Sequence, residues 1–244
     1  MNRALLIVSV VTLAGSAASA DLLYSNGPLV THAGGMTGAV AGADRSAIGP
    51  GGTLFGFGAQ QAVPNRMADD FVSDASWTLQ SATFFTYQTG AAASTITGIT
   101  LQIWGAAGPG VGAPVWGDAT TNVMTSTALS NIYRTAATST TDTTRRIQTI
   151  SVNLPNLNLG AGTFWLDWAI NGTLASGPWQ PPVSDPSILV VGNSLQKLGA
   201  AAWAPALDGT TQQALPFLLN GVPSPSSMAL LGLGGLIAAR RRRS

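Results

Sequence analysis

The chain has 244 residues, of which only 9% are charged, and its composition excludes several classes of site. It contains ten Asp and no Glu, one Lys, one His and no Cys. The lack of Cys excludes a thiol nucleophile, a thiolate-bound zinc or iron–sulfur centre and any disulfide. Because Glu and Lys are strong helix formers, their near absence disfavours a mainly helical fold.

Residues 1–20 have the features of a secretory signal peptide. Arg3 provides a positive charge near the start, and residues 4–13 form an apolar run. Ala18 and Ala20 then give the small-x-small pattern that signal peptidase cleaves. The sequence therefore predicts export, with a mature chain that begins at Asp21.

The C-terminal residues 222–244 have three parts. Pro223, Ser224 and Pro225 come first, an uncharged apolar run follows at residues 228–239, and the chain then carries consecutive arginines. These are Arg240, Arg241, Arg242 and Arg243. As a helix, the apolar run would span about 18 Å, short of a hydrocarbon core of about 30 Å. We therefore expect a short hydrophobic helix that meets the membrane only transiently, with its positive end on the cytoplasmic side.

This three-part tail resembles the PEP-CTERM sorting signal of bacterial envelope proteins, with Pro-Ser-Pro at the place of the family's Pro-Glu-Pro. In that family an exosortase, which is a membrane-embedded cysteine transpeptidase, recognises the tail and removes it. The resemblance implies delivery to the cell surface or to the extracellular polysaccharide matrix of a bacterium. The partners that it implies during export are signal peptidase and an exosortase-like transpeptidase.

Residues 21–221 are predicted to form a single all-β domain. Ile99, Leu101 and Ile103 alternate with other residues, as do the apolar residues of 150–154 and 164–170, which is typical of strands. The shorter candidate strands are residues 22–24, 71–72, 83–87, 188–191 and 216–219. Because no helical segments interleave with these strands, we expect an antiparallel β-sandwich or jelly roll.

The predicted mature domain is weakly acidic. Residues 21–221 contain six basic side chains and all ten Asp, which gives a net charge of −4. Binding to nucleic acid depends on a basic surface that neutralises phosphates. We therefore expect no nucleic-acid partner.

No catalytic constellation is evident in the sequence. His32 is the single histidine, and no Gly-x-Ser-x-Gly motif accompanies it. We therefore expect a non-catalytic protein in which His32 is an ordinary surface or loop residue.

Asp167 is the carboxylate best suited to sugar chemistry. It lies between Trp165 and Trp168 on a predicted strand, where Trp165 and Asp167 share one face. An aromatic ring beside a carboxylate suits contact with a sugar. A solvent-facing Asp on a half-buried strand gives the same pattern, so both interpretations stay open.

Three further tryptophans lie beside Gly or Pro in predicted loops. They are Trp116, Trp179 and Trp203. Exposed Trp rings stack on sugar faces, and buried ones fill cores or anchor loops. These residues are therefore candidates for ligand binding, with a packing role as the alternative.

Asp69 and Asp70 are candidate ligands for a structural Ca²⁺ ion, which prefers oxygen donors. Adjacent residues of a strand point to opposite faces, so both would bind one ion only from a loop. No Asp-rich calcium-loop motif accompanies them. We expect no other cofactor.

We interpret the chain as an exported, non-catalytic protein of the cell surface or exopolysaccharide matrix, with extracellular polysaccharide as a candidate ligand. The alternative is a secreted carbohydrate-binding or carbohydrate-active enzyme domain that uses Asp167 and nearby Trp. A glycosidase would need two carboxyl groups about 5–10 Å apart. A binding module would need none.

Overall fold

The computed structural model describes residues 20–223, and this part of the chain is almost entirely β-structure. The strands are β1 (Asp21–Ser25), β2 (Asp44–Ala47), β3 (Phe57–Gly58), β4 (Arg66–Ser73), β5 (Trp77–Thr86), β6 (Ile96–Trp104), β7 (Trp116–Gly117), β8 (Met124–Thr135), β9 (Arg146–Leu159), β10 (Gly162–Gly172), β11 (Trp179–Gln180), β12 (Leu195–Lys197), β13 (Ala204–Pro205), β14 (Leu207–Asp208), β15 (Thr211–Gln212) and β16 (Phe217–Pro223). Within the described range the single helical element is a 3₁₀ turn at Gly38–Val40. The predicted all-β class is confirmed.

No helix within residues 20–223 is long and apolar enough to cross a membrane. The predicted signal peptide, apart from Ala20, lies outside the described residues. The predicted C-terminal hydrophobic helix also lies outside them.

Most of the strands belong to two six-stranded sheets. The first has the order β1-β16-β5-β9-β8-β2, and the second has the order β13-β12-β4-β10-β6-β7. Neighbouring strands in these sheets run antiparallel, except that β2 and β8 are parallel. The antiparallel pairing predicted for this domain is confirmed for all the other pairs of strands in the two sheets.

The two sheets share one hydrophobic core. The ring of Trp168, on β10 of the second sheet, lies 5.0 Å from the ring of Phe84 on β5 and 6.3 Å from that of Phe217 on β16. All three side chains are fully buried. Because β5 and β16 belong to the first sheet, these contacts hold the inner faces of the two sheets together, and such large apolar rings dominate core energetics.

The apolar residues whose spacing predicted the long strands lie in the core or pack against it, although on β6 and β10 most of the residues between them are buried as well. The inward residues of β6, β9 and β10 are fully buried: Ile99, Leu101, Ile103, Ile150, Val152, Leu154, Leu166, Trp168 and Ile170. Each set has the period of two with which the side chains of a strand alternate between its faces.

The predicted strand at residues 188–191 is wrong. This segment pairs with no strand of the described chain, and Ile188 and Val191 are 60% and 76% exposed. The carboxylate of Asp185 accepts hydrogen bonds from the backbone N–H groups of Ser187 and Ile188, at 2.7 and 3.3 Å. This local turn competes with strand pairing, and Pro186 within it further disfavours a ladder.

A short two-stranded sheet of β3 and β11 joins the two large sheets. Trp179 of β11 also pairs with Tyr87, which directly follows β5 of the first sheet. Just after β3, Gln60 pairs with Ile170 of β10 in the second sheet. Backbone hydrogen bonds therefore run from one large sheet to the other through β11 and β3, which we call the connector.

Candidate functional site

Asp167 is buried and held by an ion pair. It is 2% exposed, and one carboxylate oxygen accepts a hydrogen bond from Arg66 Nε at 2.5 Å. The other oxygen accepts one from Trp104 Nε1 at 3.1 Å. Burial raises the pKa of Asp167, while the Arg66 guanidinium opposes that rise. Asp167 therefore does not face solvent, so the expected solvent-facing position is wrong, and both of its oxygens are already hydrogen-bonded, to Arg66 and Trp104.

The position of β10 explains this outcome. It is an inner strand, flanked by β4 and β6, and residues 166–170 are all buried. Arg66 lies on β4 and also donates a hydrogen bond to Thr100 of β6 at 3.1 Å. The ion pair therefore links three adjacent strands, and alternation alone does not predict it because both faces of β10 are covered.

Asp69 and Asp70 lie within β4 and not in a loop. Asp69 is buried and accepts hydrogen bonds from the Asn26 side chain and the Leu215 backbone, at 2.8 and 2.6 Å. Burial raises the pKa of Asp69 to about 7, although these N–H donors lower it. Its oxygens therefore tie β4 to segments beside β1 and β16. Within residues 20–223 no group of three or more metal-ligating side chains comes together.

The tryptophans divide into a buried and a half-buried set. Trp77, Trp104 and Trp168 are buried in the core. The half-buried set is Trp116, Trp165, Trp179 and Trp203. Among these four, Trp179 lines the groove described next and the other three do not. The structure therefore does not bring the predicted ligand-binding tryptophans together in one site.

The residues of the predicted sorting signals fall largely outside the described part of the chain. Ala18, Ser224, Pro225, Arg240, Arg241, Arg242 and Arg243 are all outside it. Pro223 is the last residue of β16 and pairs with Trp77. The strand therefore continues two residues beyond Gly221, up to the start of the Pro-Ser-Pro segment.

An open groove of about 610 Å³ lies beside the connector. This volume is within the usual range for small-molecule sites. Its apolar lining includes Leu54, Phe57, Val63, Leu174, Trp179 and Leu198, and its side-chain amides are Gln60, Asn65, Asn171 and Gln196. None of the described residues that line it carries a charge.

The groove amides keep hydrogen-bonding capacity for a ligand. Gln196 donates its amide nitrogen to Gly58 O at 3.1 Å, and Asn171 donates its own to Gln61 Oε1 at 2.6 Å. Gln60 accepts from Asn65 Nδ2 at 2.8 Å. These bonds orient the side chains, and they leave the Gln196 and Asn171 oxygens and the Gln60 nitrogen without a partner among the described residues. The groove therefore presents oriented donors and acceptors next to apolar surface.

Two glycines of the groove permit the close approach of its walls. A Cβ on Gly58 would lie 2.6 Å from Gln60 Oε1, so a larger residue would displace this amide. Gly177 has φ +91°, and a Cβ there would lie 2.7 Å from the Trp179 ring. Gly177 is therefore required by its φ, which L side chains rarely adopt, as well as by the lack of space, whereas Gly58 keeps room for the Gln60 amide.

Trp179 is positioned from both its backbone and its ring. Its backbone N–H donates to Tyr87 O at 2.9 Å, and its Nε1 donates to Ser176 Oγ at 3.2 Å. The ring packs against a small core cluster that includes Leu29 and Ile147, while it also lines the groove. Because the ring is half-buried and its N–H is satisfied, it offers an apolar surface of fixed orientation.

Leu54, which lines the groove, belongs to a segment whose backbone is bound by opposite charges on its two sides. Arg134, which is 1% exposed, donates from Nε to Phe55 O at 2.9 Å and from one terminal nitrogen to Leu54 O at 3.2 Å. On the other side, the buried carboxylate of Asp208 accepts from the backbone N–H groups of Thr53 and Leu54, at 2.8 and 3.1 Å. Residues 53–55, which we call the clamped segment, therefore have four of their backbone polar groups paired without strand pairing.

The ionisation of the two clamping groups is consistent with this arrangement. Burial lowers the pKa of Arg134 to about 10, so its guanidinium stays charged at neutral pH. Burial would raise the pKa of Asp208, but the hydrogen bonds from Thr53 and Leu54 hold it below its ordinary value. Each charge therefore faces the backbone dipoles that stabilise it.

Sequence reasoning found one groove residue, Trp179, and missed the amides. The groove is assembled from residues 54–65, 170–179 and 196–198, which are distant in the chain. Gln60, Asn171 and Gln196 have no motif spacing that would mark them as a set.

No protein-family model matches the chain, and no curated protein matches its sequence.

Replacing Arg66 with Met should lower the free energy of unfolding by about 3–5 kcal/mol, because it leaves the Asp167 carboxylate buried without its cation. Replacing both partners, as Arg66→Met with Asp167→Leu, should recover part of this loss because the buried carboxylate is removed together with the guanidinium. Urea denaturation of the wild type and the two variants measures both effects. A double variant no more stable than Arg66→Met would show that the uncompensated charge is not the source of the loss.

Replacing Asp208 with Ala should expose the backbone of the clamped segment. Without an acceptor, the N–H groups of Thr53 and Leu54 should exchange with solvent about ten- to a hundredfold faster, as expected for losing about 1–3 kcal/mol of hydrogen bonding. Amide hydrogen exchange measured by NMR reports on both residues. Asp118→Ala is the matched control, because Asp118 accepts N–H groups of Thr120 and Thr121 in a different loop. Unchanged exchange in Asp208→Ala would contradict the clamp.

Proposed function

We propose that this chain is an exported, non-catalytic β-sandwich protein of the bacterial cell surface or exopolysaccharide matrix, and that its groove binds polysaccharide. The observation that carries the binding proposal is the uncharged groove of about 610 Å³ lined by Trp179 and oriented side-chain amides. A neutral sugar has apolar ring faces and many hydroxyl groups. Apolar surface beside free amide donors and acceptors matches that chemistry.

The sandwich architecture is supported by two six-stranded sheets that bury one core between them. In a sandwich, the inner faces of two antiparallel sheets interdigitate in this way. We infer a β-sandwich of which the connector closes one side. A jelly roll is the more specific form of the same proposal.

A binding role is favoured over hydrolysis by the placement of the carboxylates. Glycosidases need two carboxyl groups at the scissile bond. The described lining of the groove includes no carboxylate, and Asp167 is held by Arg66. The alternative function, a carbohydrate-active enzyme, has no observation of this kind in its favour.

The export route is supported by the two ends of the sequence. Residues 1–20 resemble a signal peptide that signal peptidase would cleave. The tail, with Pro-Ser-Pro and the arginines at residues 240–243, resembles a substrate of an exosortase-like transpeptidase. On this proposal the chain touches the membrane only through its tail and only during sorting. Its working location is the cell surface or the extracellular matrix.

The groove proposal predicts that Trp179→Ala weakens binding to the extracellular polysaccharide of the producing cells. We expect a loss of about tenfold, the equivalent of about 1–2 kcal/mol of ring contact. Protein purified from those cells is mixed with the polysaccharide, and co-sedimentation and released reducing ends are both recorded. Asn171→Ala, which removes an unpartnered acceptor, should also weaken binding.

Trp203→Ala is the matched control, because Trp203 is half-buried but does not line the groove. Equal loss of binding in Trp203→Ala and Trp179→Ala would contradict the assignment of the groove. Release of new reducing ends by the wild type would overturn the non-catalytic proposal. Thermal melting monitored by circular dichroism confirms that each variant is folded.

The sorting proposal predicts the mass of the mature protein. Intact-mass spectrometry of surface-extracted protein should give a chain that begins at Asp21 and lacks the four arginines at residues 240–243. Replacement of these arginines by serine should abolish C-terminal processing, because the positive end no longer holds the tail in the membrane. Recovery of a mature surface protein that still ends at Ser244 would contradict processing of this tail.

A further inference from the structure

A second, smaller cavity of about 330 Å³ adjoins the groove. Asn65 lines both cavities, and hydrogen bonds to Gln60 and Gly199, at 2.8 and 3.0 Å, fix its side chain. Strand β12 also contributes to both: Gln196 lines the groove, and Lys197 lines the smaller cavity. The two cavities therefore share a wall made by β12 and Asn65.

Lys197 is the single lysine of the chain, and within residues 20–223 its ammonium makes no hydrogen bond or ion pair, although its positive charge favours the charged form of the Asp167 carboxyl. It is half-buried and lies directly across from Arg66 in the β12–β4 ladder. Every arginine in residues 20–223 donates at least one hydrogen bond. Lys197 is the one basic side chain of the described range that makes neither a hydrogen bond nor an ion pair.

Arg66 and Lys197, which both line the smaller cavity, share the single carboxylate of Asp167, so the two cations leave the cavity with a net positive charge. Arg66 is paired with Asp167 directly. The rest of the domain is acidic, with a net charge of −4 for residues 21–221. A half-buried ammonium is less screened than an exposed one, so it attracts an anion more strongly than a surface lysine does.

A neutral donor lies next to this charge. The side-chain oxygen of Gln61 accepts from Asn171, so its amide nitrogen remains without a partner among the described residues. Gln61 and Lys197 both line the smaller cavity. A carboxylate has two acceptor oxygens and one negative charge, which matches one ammonium and one amide donor.

We propose that the smaller cavity binds a carboxylate carried by the polysaccharide that lies in the groove, so that the ligand is an acidic, uronate-containing polysaccharide. This inference rests on the proposed function and specifies the class of its ligand. The neutral part of the ligand contacts Trp179 and the groove amides. The carboxylate of a neighbouring sugar receives hydrogen bonds from Lys197 and Gln61 across the shared wall.

The test compares one polysaccharide before and after its charge is removed. Matrix polysaccharide from the producing cells is used in its native form and after chemical reduction of its uronate carboxyls to alcohols. Wild-type protein purified from the same cells should bind the native form about tenfold more tightly, and added salt should erase this difference. The Lys197→Gln variant should bind both forms equally, at the affinity of the wild type for the reduced form.

Two further variants separate the sources of binding. Lys197→Arg keeps the charge and should retain the preference for the native form, whereas Trp179→Ala should weaken binding to both forms. Equal binding of wild type to both forms, or a preference that survives in Lys197→Gln, would overturn this inference and leave the proposed function standing. Failure of wild type to bind either form would overturn the proposed function and the inference with it.

Discussion

One wall of the groove depends on a buried guanidinium that is stabilised by backbone carbonyl and serine hydroxyl oxygens and not by a directly bonded carboxylate. Arg134 binds the carbonyl oxygens of Leu54 and Phe55, and Asp208 binds the N–H groups on the other side of the same segment. A buried charge without such contacts would cost several kcal/mol (roughly 3–5). The carbonyl oxygens of this segment bind Arg134 and its N–H groups bind Asp208, so that the two opposite charges are joined through the backbone between them. These contacts hold an irregular segment in a defined place without strand pairing.

The connector and the clamped segment together explain why an open groove lies at this position. The core needs only the two large sheets, whereas β3 and β11 add hydrogen bonds that run between them. Such a bridge brings short, irregular segments with free side chains next to ordered strands. Binding residues are commonly placed on loops that a rigid scaffold positions. Here Gln60 and Trp179 are positioned by pairing with strands of opposite sheets, so both walls of the groove are fixed by the same framework as the core.

The fold class was predictable because it depends on local patterns, and the site was not because it depends on distant pairs. Ile99, Leu101 and Ile103 show their burial in their spacing, as each long strand does. Asp167 was misjudged because its partner, Arg66, lies 101 residues away. The strand predicted at residues 188–191 does not form, because the Asp185 carboxylate holds the backbone just before it in a turn. The groove amides come from three remote segments, and a single sequence gives no signal that joins them.

The pairing of the two terminal strands has a consequence for the order of events during biosynthesis. Strand β16 lies between β1 and β5, and Asp21 pairs with Gly221. Strand β1, which is synthesised first, therefore cannot pair until β16 has been synthesised. Contacts between residues so far apart in sequence form slowly. A chain exported from its N-terminus would complete its first sheet only after nearly all of it had crossed the membrane. On the proposed export route, completion of the fold would thus coincide with arrival of the tail, and the proposed transpeptidase would meet a tail attached to a finished domain.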